Sequence, residues 1–253
     1  MKQDERAPFV HALQRGRVAA YPPGEFVEQE SFMRASEIRS LADQAGIGPR
    51  VSVLDLCCGI AGPGRFITRE LGCTYLGVDY SSSAIELARQ RAGDLPCQFE
   101  VSRIPPIRCG PFDVVLLLET MLAFYEKAQL LREISRALVA GGRFAFTMEE
   151  GPPLTKSERG SMPDPDTVWL TPLPEMVSYL ARAGFVVRWQ ADFSRSHRAM
   201  ADSLLGAFAT DAPEIVARIG HRALEELLVA HRLWSDWLRD GRVRKLALVA
   251  EKT

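Results

Sequence analysis

Short apolar runs alternate along this chain with longer stretches in which apolar residues return every three or four positions, and Gly or Pro commonly marks the change. The spacing predicts a helix over Gln29 to Gln44, with Phe32, Ala35, Ile38, Leu41 and Ala42 on one face. A strand Val51 to Leu56, a helix Gly64 to Leu71, a strand Thr74 to Asp79 and a helix Ser82 to Arg91 follow, the last opened by Ser81 or Ser82 as N-cap. Next come strands Gln98 to Ser102 and Phe112 to Leu118, helix Lys127 to Leu138 and strand Arg143 to Met148. The run Val114 to Leu118 is apolar at every position, so both of its faces are covered and it belongs at the centre of a sheet. Strands separated by helices imply a parallel sheet with right-handed crossovers, an α/β fold.

After Gly151 the rhythm breaks. Residues 151–167 hold Pro152, Pro153, Pro163 and Pro165 and little periodicity, which predicts a loop long enough to act as a flap. Helix Pro174 to Ala183 and strand Phe185 to Asp192 restore the pattern. Residues 197–240 then read as two or three helices anchored by Leu204, Phe208, Ile215, Leu224, Leu228 and Trp237, and Val243 to Glu251 reads as a closing strand. The organisation expected is a lid segment over 1–28, then one domain over 29–253 with a helical cap insertion at about 197–240.

Composition narrows function only a little. With 253 residues, 47% hydrophobic and 25% charged, the chain can bury one sizeable core. A net charge of −1 without long runs of Lys or Arg leaves no nucleic-acid footprint. No apolar stretch approaches the ~20 residues that span a bilayer and Met1 to Pro8 is polar, so the expectation is a cytoplasmic protein with no membrane partner. The cysteines, Cys57, Cys58, Cys73, Cys97 and Cys109, show neither a metal spacing nor a disulfide framework, and no metal is expected.

Candidate chemistry is concentrated where the first two strands end. Val53-Leu54-Asp55-Leu56 runs into Cys57-Cys58-Gly59-Ile60-Ala61-Gly62-Pro63-Gly64, a turn low in side-chain bulk that lets backbone approach a ligand. Tyr75-Leu76-Gly77-Val78-Asp79 ends on a second acid, able to accept both hydroxyls of a ribose. A dinucleotide site wants G-x-G-x-x-G directly after the strand, so that helix-start amides hold a pyrophosphate. Here the glycines fall at positions 59, 62 and 64, and Asp55 would set a negative charge beside the phosphates. An acid there suits a cation, such as an amino-acid ammonium. The segment resembles motif I of the class I S-adenosylmethionine (SAM) dependent methyltransferases, D-x-G-x-G-x-G, read on Asp55, Cys57, Gly59 and Ala61, with Cys57 and Ala61 as small departures from glycine. Phe112-Asp113-Val114-Val115, the Leu138 to Gly142 turn and Ala181-Arg182-Ala183-Gly184-Phe185 look like later landmarks of that family, and Leu246 to Lys252 looks like its antiparallel seventh strand.

The resemblance implies a Rossmann-like, seven-stranded sheet of order 3-2-1-4-5-7-6 with a helical cap, SAM as cofactor, S-adenosylhomocysteine as product and a small-molecule acceptor. Within the family, the chain is most similar to bacterial methyltransferases of natural-product and amine metabolism, including sugar O-methyltransferases and sarcosine/dimethylglycine N-methyltransferases. Asp55 is expected to bias the methionine ammonium, and the backbone of Cys57, Gly59 and Ala61 to lie in the cofactor motif. Asp79 takes the ribose, Tyr80 packs on adenine, and Leu118 and Glu119 match the contact to the methionine portion. The acid that usually accepts the adenine amine is missing after strand three, and Ser102 is its nearest polar substitute.

The acceptor side is less explicit. Methyl transfer is an in-line displacement that gains much from alignment alone, so a base is optional. In the sugar O-methyltransferases the segment after strand four resembles E-S-L-x-H, whereas here it is Glu119-Thr120-Met121-Leu122-Ala123, with Ala123 in place of the His. His197 is then the first choice as base, against a surface or N-cap role, and the strand-end acids Glu119 and Glu149 are the second. Tyr21, Phe26, Phe124 and Trp169 are candidates for an aromatic wall around the acceptor, against plain packing under the lid. No Asn/Asp-Pro-Pro-Tyr/Phe run follows strand four, which argues against methylation of adenine or glutamine amines. O- or N-methylation is favoured over C-methylation. The other class left open is a non-catalytic SAM-binding or scaffold protein, as monomer or homodimer.

Overall fold

A computed structural model describes residues 6–108 and 110–253. The first residues of the polar N-terminus and Cys109 lie outside the described residues. Strands β1 (Ser52–Leu56), β2 (Thr74–Asp79), β3 (Cys97–Val101), β4 (Phe112–Leu117), β5 (Leu138–Glu150), β6 (Phe185–Asp192) and β7 (Arg244–Lys252) make one sheet of order β3-β2-β1-β4-β5-β7-β6. β7 runs antiparallel to β5 and β6, and the other pairs are parallel. This is the order that the resemblance implies.

Residue alternation along β4 explains its central place. Val115 and Leu117 face a layer that includes α5 (Lys127–Ala137) and α7 (Leu173–Arg182) through Leu130, Ile134, Met176 and Leu180. Val114 and Leu116 face the opposite layer, with α2 (Ala35–Gln44), α3 (Gly62–Leu71) and α4 (Ser82–Ala92). None of these four strand residues is more than 2% exposed. Truncating a ring in such a core, for example Phe146→Ala, removes about 3–5 kcal/mol.

A separate helical layer covers the carboxyl edge of the sheet. Helices α1 (Arg6–Ala20), α8 (Ser194–Thr210), α9 (Ala212–Ile219) and α10 (His221–Arg239) pack around Leu13, Leu204, Phe208, Ile215 and Leu224. The lid segment therefore contributes a helix to the cap, and the partners of Leu13 are cap residues about two hundred positions away. Helix α2 starts only at Ala35, since Gln29 folds its amide onto the carbonyls of Glu25 (2.8 Å) and Met33 (2.7 Å) and keeps 29–34 irregular. The expected flap is also more ordered than its prolines suggest. Thr155 and Glu158 form a capping box that opens α6 (Lys156–Ser161), and Leu154, Met162 and Val168 bury against Trp237 and Val243. Arg242 fastens Glu158 at 2.5 and 3.0 Å. Among the described residues no helix is long and apolar enough to cross a membrane.

Candidate active site

The turn after β1 is shaped by what crosses it. A Cβ on Gly64 would fall 2.1 Å from the Tyr75 ring, so glycine lets that ring lie across the start of α3 and donate its hydroxyl to Asp55 Oδ2 at 2.6 Å. Asp55 is buried; desolvation, opposed by the Tyr75 hydrogen bond and aided by nearby Asp79, pushes its carboxyl up to about 7. Asp79, at the end of β2, accepts the Gly59 and Ser81 amides at 2.9 Å each, which ties the glycine-containing turn to the second strand. Cys57, Gly59 and Ala61 all have left-handed backbone, with φ of 58°, 56° and 55°. A side chain in that region costs about 1–2 kcal/mol, and two of these three positions, where the motif has glycine, carry one.

Backbone from Cys57 to Ile60, together with Asp55, Leu118, Glu119 and Thr120, lines a cleft of about 120 Å³. Glu28 to Ser31 and Met33 form its other wall. That segment is pinned from below: Glu28 pairs with Arg65 (2.6 Å) and Arg91 (2.9 Å), and a Cβ on Gly62 would fall 2.4 Å from the Val27 and Glu28 carbonyl oxygens. Thr120 Oγ1 is buried in the cleft with no partner. A buried acid facing a small-residue turn, a second acid one strand away and an orphaned hydroxyl fit an amino-acid nucleoside. SAM would be held there by Asp55, the 57–60 backbone and Thr120, and it supplies a methyl group on positively charged sulfur. Tyr80 is 39% exposed beside the Arg103 guanidinium, and Ser102 spends its hydroxyl on the Arg103 carbonyl at 3.3 Å. Neither lines the cleft, and nor do the side chains of Asp79 and Ala61.

Beyond Glu119 opens a second cavity of about 270 Å³. Glu119, itself at φ 62°, lines both spaces. Its amide donates to Thr147 Oγ1 (2.7 Å), and that hydroxyl donates back to Glu119 Oε1 (2.8 Å). Lys245 on β7 lies opposite Glu149 on β5 and bridges two acids, reaching Glu119 Oε1 at 2.7 Å and Glu149 Oε1 at 2.5 Å. Burial works against the Lys245 ammonium, yet the two carboxylates outweigh it and hold its pKa above the usual value. The same cation, helped by His197, draws Glu119 below the carboxylate range against burial. For Glu149, burial and the charge of Glu119 prevail over Lys245, and its pKa lies above that range.

His197, on α8, is 1% exposed, with ring nitrogens 3.7 Å from Glu37 Oε2 and 3.8 Å from Glu119 Oε2. Desolvation outweighs Glu119 and pushes its pKa down to about 4, so the ring is neutral near pH 7. Its Nε2 and Glu149 Oε2 are buried without hydrogen-bond partners. The structure thus brings together the three candidates His197, Glu119 and Glu149, and adds Lys245, which the sequence reading missed. A lysine directly before the apolar run Leu246 to Ala250 was the available signal, but its register against Glu149 was not.

The proposed aromatic wall does not assemble. Tyr21 and Phe26 pair at 5.3 Å in the cap core, Phe124 packs on the sheet core, and Trp169 meets Tyr125 at 4.6 Å with Arg159 over its ring. None lines the cavity; Phe32, Leu122 and Trp234 do. Tyr21 is buried in the cap core, and Phe26, Phe124 and Trp169 are half-buried. Among the described residues no group of three or more His, Cys, Asp or Glu is arranged to hold a metal ion.

Comparison with known proteins agrees with this geometry. Residues 54–146 match a family model described as a methyltransferase domain. Methyltransferase GfsG of Streptomyces halstedii is 31% identical over 37% of this chain and 36% of its own length. A sarcosine/dimethylglycine N-methyltransferase of Halorhodospira halochloris is 29% identical over 49% of this chain and 46% of its own. The chain therefore spans less than half the length of these curated relatives. The solved cyclopropane synthase MmaA2 of Mycobacterium tuberculosis superposes with a TM-score of 0.83 at 15% identity, covering 99% of this chain and 95% of that one. Sheet order and superposition give this chain the fold of the class I SAM-dependent methyltransferases, and residues 54–146 within it match a methyltransferase domain.

Proposed function

We propose that this chain transfers a methyl group from SAM to a small molecule held in the second cavity, at oxygen or nitrogen. The observation that carries the reading is the junction at Glu119. A cleft suited to the cofactor and a mostly apolar cavity adjoin, with Glu119, Glu30 and Ser31 as shared lining, which is what an in-line displacement between two bound molecules requires. In this reading Asp55 faces the methionine ammonium, Asp79 the ribose, Tyr80 and Ser102 the adenine, and Leu118 the methionine chain. His197, neutral and enclosed by Glu37 and Glu119, keeps Glu119 in place rather than taking a proton. A cytoplasmic setting accompanies the reading, with Cys73 and Cys97 as thiols rather than a disulfide.

Titration calorimetry with SAM, S-adenosylhomocysteine, NAD and ATP tests the cofactor, and release of S-adenosylhomocysteine with amine and alcohol panels tests turnover. SAM and S-adenosylhomocysteine should bind, and NAD and ATP should not. Binding of NAD, or none of SAM, overturns the reading.

A further inference from the structure

The charged side chains on the second cavity do not balance. Arg17, 3.7 Å from Glu30, and Lys245, between Glu119 and Glu149, set two cations against three carboxylates. The rest of the wall is largely apolar, with Phe32, Leu122, Leu204, Leu227 and Trp234. Two buried polar atoms on it, Glu149 Oε2 and His197 Nε2, have no partner. A buried acceptor oxygen without a donor is destabilising until something supplies one. What restores both charge and hydrogen bonding is a cationic N–H donor on an apolar body.

Resting on the methyltransferase reading, we propose that the acceptor is a protonated amine on a hydrocarbon or aromatic body, that Glu149 Oε2 receives its N–H and then its proton, and that Lys245 is the positioning residue that fixes Glu149 and Glu119 for this. Lys245 acts through the carboxylates: it occupies Oε1 of each and leaves Glu149 Oε2 for the acceptor. Proton transfer turns an ammonium–carboxylate pair into an amine and a carboxylic acid, a change that a dry cavity favours because neither product is charged. The freed nitrogen lone pair takes the methyl as the carbon–sulfur bond breaks, and the positive charge passes from sulfur to nitrogen. The proton on Glu149 leaves with product exchange. The charged or titratable groups around Glu149 are Lys245 from β7, Glu119 after β4, Lys127 from α5 and, beyond Glu119, His197 from α8. Among the described residues Lys245 is the charged group that touches it, so Lys245 is the residue to change.

The full chain loaded with S-adenosylhomocysteine is titrated calorimetrically with 2-phenylethylamine and with its near-isostere 2-phenylethanol. The amine should bind at least tenfold tighter at pH 7. In Glu149→Gln that preference should shrink to within twofold, with S-adenosylhomocysteine affinity unchanged. Lys245→Met should move the pH at which amine binding is half lost on acidification upward by a unit or more, because Glu149 then holds its proton more tightly, and Lys245→Arg should restore it. A purely structural lysine would weaken binding equally at all pH values. If Lys245→Met does not fold, Glu149→Gln and Lys245→Arg still decide. Equal or tighter binding of the alcohol, no amine binding at millimolar concentration, or a preference that survives in Glu149→Gln overturns the proposal. Failure to bind S-adenosylhomocysteine is the distinct result that removes the methyltransferase reading itself.

Discussion

The two spaces that meet at Glu119 are built in opposite ways. The cleft is a local object: most of its lining comes from residues 55–63 and 118–120, and its shape is backbone held by glycines and by the Asp79 carboxylate. The cavity is assembled over long range, with Phe32, Glu119, Glu149, His197, Trp234 and Lys245 brought from separate strands and helices, and its character lies in side chains. A fold can keep the first constant while the second changes. The largest test of the contrast is Lys245→Ala, which leaves two buried carboxylates without their shared cation. Urea unfolding at pH 8 should show a loss of about 3–5 kcal/mol, shrinking toward pH 5 as Glu149 protonates. A loss below 1 kcal/mol would mean that water already solvates the cavity floor.

The cavity and cap should also respond to acid. His197 and His231 are buried, and burial pushes each from 6.5 down to about 4. A base kept neutral in the fold binds its proton more readily when unfolded, so its contribution is fully present above pH 6.5 and is lost as pH falls toward 4. Two such groups amount to about 3 kcal/mol each at most. Replacing His231 with Leu should roughly halve the slope of stability against pH in that window, whereas an unchanged slope would assign the acid sensitivity to the carboxylates.

On the cofactor side, Asp79→Ala should weaken S-adenosylhomocysteine by ~1.5–3 kcal/mol, since a charge-assisted bond to the ribose is lost. It should also lower Tm, because the Gly59 and Ser81 amides lose their acceptor. Unchanged affinity would remove the ribose assignment. The smallest effect concerns the same turn. Ala61→Gly relieves a left-handed alanine but adds unfolded-state freedom, so the net change should be within about 1 kcal/mol and stabilising. A clear loss would show that the Ala61 methyl packs better than its backbone is strained.

This division also sets what the sequence could reveal. Asp55, the small residues after it and Asp79 were legible as one turn because their types are dictated by local backbone, left-handed at Cys57, Gly59 and Ala61 and held by the Asp79 carboxylate. The unbroken apolar run Val114 to Leu118 likewise placed β4 at the centre. Lys245 was not legible as a partner of Glu149, since a one-residue change in the β5–β7 register would point it to the other face. Nor was the choice of Trp234 over Trp169 for the cavity wall, since it depends on contacts between distant segments.

Glu30 and Ser31 line both the cleft and the cavity, on a segment clamped by Glu28 to α3 and α4. In the proposed reading, a cofactor seated in the cleft touches the same wall that closes the front of the acceptor's compartment. A wall held in common lets the first ligand shape the place of the second, so the expected order is cofactor before acceptor and methylated product before spent cofactor. Initial rates should then follow a compulsory-order sequential pattern.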